Sequence, residues 1–132
     1  MRRLAPVLLV ALAAALVPAP AAAGDVEVDA CLTRADVDIC DDTFSYLYGD
    51  TVILKGRVTP AGSSEAVVLR KTPGEDTWER MGTVPVSDTG RMKWRWRTRY
   101  RDAVQDAPYL LRFRIPGHGK SEAVEAYVLF GE

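Results

Sequence analysis

The chain has 132 residues, with 17 lysines and arginines against 18 aspartates and glutamates, a formal net charge of -1, one histidine and two cysteines. That length allows one domain with a modest core and excludes a second. Two cysteines spaced C-x8-C without accompanying histidines make a poor zinc site, and they are not the C-x-x-C of a redox motif.

The chain opens with Arg2 and Arg3, an apolar run from Leu4 to Val17 broken by Pro6, and then Pro18, Ala19, Pro20 and Ala21 to Ala23. Positive start, apolar stretch and small-residue A-x-A end are the pattern of a secretory signal peptide over residues 1–23, cleaved after Ala23. The apolar run is shorter than the roughly 20 residues a spanning helix needs. The expected mature chain, residues 24–132, therefore has no transmembrane segment, and its place is extracellular or loosely on the cell envelope. Taking Arg2 and Arg3 from the 17 leaves 15 basic residues against 18 acidic ones, a net charge of -3.

The distribution of that charge is uneven. Asp25, Glu27, Asp29, Asp36, Asp38, Asp41, Asp42 and Asp50 face Arg34 alone between Gly24 and Asp50, whereas Thr51 to Glu132 carries fourteen bases and ten acids. The simplest account is pairing of the acidic front with the basic body inside the fold. Cys31 and Cys40 lie on the exported side of the signal peptide, where disulfides persist, and are expected to bridge each other. Closing so short a loop restrains the unfolded chain by about 2 to 3 kcal/mol on the entropic model. Residues 24–45 thus read as an acidic, disulfide-closed segment. Its aspartates lack the D-x-[DN]-x-[DN]-G frame of a calcium loop, because Cys40 stands at the third ligand position and no glycine follows.

From Tyr46 the chain becomes short alternating runs between turn residues. Thr51 to Thr59 sets Val52, Leu54, Gly56 and Val58 on one face and Ile53, Lys55 and Arg57 on the other. Pro60 to Ser64 turns the chain. Ala66 to Thr72 is expected to turn Val67 and Leu69 inward, and Pro73-Gly74-Glu75-Asp76 is a turn. Trp78 to Val86 is a strand region whose Pro85 assigns it to a sheet edge. Gly90 to Arg101 reads G-R-M-K-W-R-W-R-T-R-Y-R, with a cation at every odd position from Arg91 to Arg101 and Met92, Trp94, Trp96, Thr98 and Tyr100 between. Period two in a strand places the two sets on opposite faces, where a helix would mix them. Tyr109 to Ile115 then alternates Tyr109, Leu111, Phe113 and Ile115. After Pro116 to Lys120, the last run offers Val124, Ala126, Val128 and Phe130. Strands at this spacing without a long helical pattern predict an all-β sandwich or barrel.

The series Y-G-D-T-V-I-L-K-G-R-V-T-P-A-G (Tyr48 to Gly62), A-V-V-L-R-K, T-W-E-R-M-G-T-V-P-V-S-D-T-G-R (Thr77 to Arg91), Y-L-L-R-F-R (Tyr109 to Arg114) and a final S-x-x-V-x-x-Y-V resembles the bacterial immunoglobulin-like domains of secreted actinobacterial proteins. The resemblance implies an immunoglobulin-like antiparallel β-sandwich of about seven strands over residues 46–132. It implies a spacer or binding module, and it places Leu54 and Leu111 where other members carry an inter-sheet disulfide. Tyr109 takes the place of the tyrosine whose hydroxyl ties a corner of such sandwiches.

On that framework the acidic front, with Glu27 and Asp29, pairs with Thr51 to Thr59, and the basic stretch flanks the same strand on its other side. The face then holds an excess of cations. Lys93, Arg95, Arg97 and Arg99 are the expected centre of a surface for an anionic envelope polymer, held by Coulomb attraction and counterion release. The competing reading is a solvated row that keeps an exposed strand soluble. Trp94 and Trp96 share the parity of Met92 and are expected in the core. Catalysis has little support, since His118 sits in a glycine-rich turn with no assignable partner, and Gly117-His118-Gly119-Lys120-Ser121 lacks the first glycine and the helix of a phosphate loop. No cofactor is implied. The alternative is a secreted protein-protein partner, an inhibitor or an assembly subunit, that uses loops or a strand edge.

Overall fold

Most of the alternating runs are strands in the computed structural model. It describes residues 26–131, so the signal peptide expected over 1–23 lies outside the described residues. Among the described residues the strands are β1 (Glu27–Thr33), β2 (Thr43–Leu47), β3 (Thr51–Thr59), β4 (Glu65–Lys71), β5 (Glu79–Pro85), β6 (Arg91–Arg97), β7 (Tyr109–Ile115), β8 (Gly119–Lys120) and β9 (Val124–Leu129), with a 3-10 turn at Tyr100–Asp102. Among the described residues there is no α-helix, and no helix long and apolar enough to cross a membrane.

Two sheets pack as a sandwich. One has the order β1-β3-β6, and the other β2-β9-β7-β4-β5, with β8 paired to β7. Pro85 does end a strand at a sheet edge, because β5 is the outer member of its sheet. The boundary drawn at residue 46 runs through β2, and the acidic front contributes β1 to one sheet and the start of β2 to the other. The sandwich is not wholly antiparallel, since β2 runs parallel to β9. The cause is a change of sheet without a change of direction. β1 is antiparallel to β3, and the turn at residues 48–50 sends β3 back against β2, so β1 and β2 are one direction of travel interrupted by a crossing.

The Cys31–Cys40 disulfide closes the loop that makes this crossing, with its Cα atoms 5.3 Å apart. Leu32 and Asp41 exchange both backbone hydrogen bonds across it, at 2.7 and 2.9 Å. Arg34 donates from Nε to Asp36 at 2.8 Å, and that bond holds the carboxyl of Asp36 below its ordinary range.

The core lies between the two inner faces. Val52, Leu54, Leu111, Phe113, Val68, Ala126 and Val128 have no exposed surface. Gly56 keeps the sheets close, because a Cβ there would stand 2.7 Å from both Met92 Cε and the Phe113 ring. Gly90 turns the chain into β6 at φ 82, a conformation that suits glycine, and its carbonyl accepts from Val58 N–H at 2.7 Å. Two buried tyrosines fasten the ends. Tyr46 donates to the Thr33 carbonyl and Tyr109 to the Asp102 carbonyl, both at 2.7 Å, and burial raises the pKa of each hydroxyl. The Tyr109 bond reaches seven residues upstream, from the start of β7 to the 3-10 turn.

Three side-chain expectations are corrected. In β4 the inner positions are Ala66, Val68 and Arg70, since Val68 pairs with Phe113 and Arg70 with Leu111. Val67 and Leu69, assigned inward, are on the other face, where Val67 is nonetheless buried and Leu69 half-buried between the neighbouring strands β5 and β7. Phe130, assigned to the last inner row, is exposed beyond the end of β9, and Tyr100 is exposed after β6 has ended at Arg97. Thr98 accounts for the latter change. Buried, it donates to the Asp50 carbonyl at 2.7 Å and accepts from Gly49 N–H at 3.0 Å, which ends the strand against the β2–β3 turn.

Candidate anion-binding face

β3 is the central strand of the three-stranded sheet, and its pairing on both sides decides the chemistry of the outer face. With β6 the register sets Arg57 opposite Arg91, Lys55 opposite Lys93, Ile53 opposite Arg95 and Thr51 opposite Arg97. With β1 it sets Asp29 opposite Arg57, Cys31 opposite Lys55 and Thr33 opposite Ile53. Opposite residues on neighbouring strands stand ~5 Å apart, and successive outward residues of one strand ~6.7 Å apart. The outer face is thus a grid of six cations, Lys55, Arg57, Arg91, Lys93, Arg95 and Arg97, all exposed.

Pairing within the fold does not neutralise this grid. The ion pairs of the described residues are Arg34 with Asp36 and Asp50, and Arg70 with Glu79, and none uses a cation of the face. Asp29 stands in register with Arg57 without forming an ion pair. Like charges across adjacent strands repel by tenths of a kcal/mol each, so the arrangement carries a cost that an anion on the face would remove.

The end of the grid nearer the β5–β6 connection is concave. A depression of about 760 Å³ is lined by Asp29, Cys31, Lys55, Arg57, Arg91 and Lys93, with Pro85 and Ser87 on its rim. Ser87 holds that rim by accepting from the Arg91 N–H at 3.0 Å through its hydroxyl.

Of the cations singled out from the sequence, Lys93, Arg95 and Arg97 share the outer row of β6. Arg99 falls two residues past the strand, where its N–H donates to the Asp102 carboxylate at 2.8 Å and opens the 3-10 turn. Lys55, Arg57 and Arg91 complete the grid, and Asp29 joins the depression. The alternation of both strands signals these residues, but their register with each other lies between strands distant in sequence. Trp94 and Trp96 point inward and are half-buried against the core. The Trp96 ring is occupied by Tyr109, edge-on at 4.9 Å, and by the Arg70 guanidinium at 4.8 Å.

A different surface lies at the end of the sandwich beyond Thr98. Tyr100, 66% exposed, meets Tyr48 and Phe130 edge-on, with ring centroids 5.2 and 5.4 Å away. Among the described residues no three His, Cys, Asp or Glu side chains gather as metal ligands. No known family model matches the chain, and a search of curated proteins finds no match.

Proposed function

We propose that the protein is a secreted, non-catalytic binding module with an immunoglobulin-like sandwich, and that its basic outer face engages an anionic polymer of the cell envelope. One observation carries this reading: β3 and β6 pair in a register that gathers six cations on one exposed sheet surface without an intramolecular ion pair. Such a grid attracts a polyanion through Coulomb steering and counterion release. Secretion is supported by the signal-like start and by the disulfide, and the immunoglobulin-like assignment by the two-sheet order and the Tyr109 hydrogen bond. The test is retention of the purified protein on isolated cell envelope at low and raised salt, beside a Lys93→Glu, Arg95→Glu, Arg97→Glu variant. Retention that weakens with salt and is lost in the variant is the expected result. Equal retention of both proteins returns the cations to a solvating role.

The second reading, a secreted protein-protein partner, is favoured by the exposed cluster of Tyr48, Tyr100 and Phe130, with the exposed Leu47 next to Tyr48 at the end of β2. Binding to a culture protein that survives charge reversal and fails on Tyr100→Ser would support it.

A further inference from the structure

The depression in the basic face contains a group that a bare polyanion would not call for. Asp29 is exposed, lies directly opposite Arg57, and accepts no hydrogen bond and forms no ion pair among the described residues. Its oxygens are open to whatever enters. An ionised carboxylate only accepts hydrogen bonds, so its complement on a ligand is a donor such as a hydroxyl, while toward a bare anion it is repulsive.

The other walls are complementary to phosphate. Arg57 and Arg91 face each other across adjacent strands, as do Lys55 and Lys93 one step along. Two guanidinium forks supply directed donors to tetrahedral oxygens, and two ammonium groups supply charge. At about 760 Å³ the depression has the size of a small-molecule site, well beyond that of one phosphate group. Ala30, Cys31, Pro85 and Met92, with the aliphatic stems of the lysines and arginines, give the remainder an apolar lining against which a carbon skeleton can lie.

We propose that the depression is a binding site for a hydroxyl-bearing phosphate ester, a polyol phosphate or sugar phosphate unit of the polymer, in which Arg57, Arg91, Lys55 and Lys93 hold the phosphate and Asp29 accepts from a hydroxyl. This rests on the polyanion reading above and narrows it to a ligand class. It also assigns Asp29 a selecting role, because the same carboxylate that attracts a hydroxylated repeat repels a polymer of phosphate alone.

The experiment compares two labelled polymers with equal numbers of phosphates, glycerol phosphate oligomers and inorganic polyphosphate, by fluorescence anisotropy at low salt. Wild-type protein is expected to bind both. Asp29→Ala is expected to bind the glycerol phosphate oligomer about fivefold more weakly and the polyphosphate more tightly, opposite shifts on the scale of one hydrogen bond and one like-charge contact. Asp29→Asn, which keeps an acceptor oxygen without the charge, is expected to retain the oligomer and gain polyphosphate. A shift of both ligands in the same direction in Asp29→Ala makes Asp29 a mere charge and overturns the proposal, with the basic-face reading intact. An Asp29→Asn variant as weak as the alanine also overturns it. If neither polymer binds the wild-type protein, the basic-face reading itself fails.

Discussion

Arg70 and Arg112, in one sheet of this sandwich, behave differently from the arginines on the outer face of the other. Arg70, on the inner side of β4, lies over two rings, with its guanidinium carbon 4.8 Å from the Trp96 centroid and 5.2 Å from that of Tyr109, and Nη2 donates to Glu79 at 3.3 Å. Arg112, on β7, sits 4.0 Å from the centroid of Trp78, and burial, then Arg114, lowers its pKa. Arg57, Arg91, Arg95 and Arg97 on the other sheet have neither ring nor carboxylate as partner among the described residues. The same side chain is therefore held against aromatic rings at Arg70 and Arg112 and faces solvent at the four positions of the other sheet. Stacked arginines contribute packing and cation–π energy to the fold. The free ones contribute a field, and a field acts on something outside the molecule.

The comparison breaks most readily at the free set. Reversing Lys93, Arg95 and Arg97 is expected to lower affinity for a polyanion by about 100-fold or more at low salt, and to flatten the dependence of log affinity on log salt by ~0.7 for each lost phosphate contact. Thermal unfolding should scarcely change, since exposed substitutions away from packed features are worth about 0.5 kcal/mol or less. Arg70→Ala should do the converse. With 16% of its side chain exposed, Arg70 gives up stem packing and both ring contacts, an expected loss of about 1 to 3 kcal/mol by denaturant unfolding, with polyanion binding unchanged. Arg112→Ala loses one ring contact and is expected to cost about 1 kcal/mol, visible also as altered Trp78 fluorescence. If Arg70→Ala proves neutral for stability and harmful to binding, the division between ring-packed and free arginines fails.

Much of this was legible in the sequence where one chemistry repeats every second residue. The outer row of β6 and the inward set of β7 follow from period-two alternation, because a strand offers only two faces, whereas the flanking of β3 by an acidic and a basic strand was implied by the resemblance to immunoglobulin-like sandwiches. Legibility fails where both faces are apolar. Ala66, Val67, Val68 and Leu69 run together in β4, so either parity looks inward, and the position of Arg70 over Trp96 cannot be anticipated. It fails again where pairing joins strands distant in sequence, since no turn sets the register of β3 against β6. For that reason Lys55, Arg57 and Arg91 were visible as charges while the depression with Asp29 was not. The parallel β2 is hidden for another reason. A disulfide loop can carry a chain onward or back, and its composition does not distinguish the two.

The smallest expected effect gives the sharpest view of what the grid costs the fold. Arg95 is exposed on β6 opposite Ile53, with Lys93 and Arg97 each two residues away on the same face. Replacing it with threonine removes a charge from the middle of a like-charged row and installs a β-branched residue suited to a strand. Loss of repulsion from two neighbours is worth a few tenths of a kcal/mol, so Arg95→Thr should unfold at a slightly higher denaturant concentration with the same slope. The gain should shrink as salt is added, because screening already weakens the repulsion in the wild-type protein. Polyanion affinity should fall by a small factor in the same variant. A stability gain paired with a binding loss would show that the charge row is kept at the expense of the fold, as expected of a recognition surface. A purely solvating row predicts that the substitution leaves stability unchanged or lowers it.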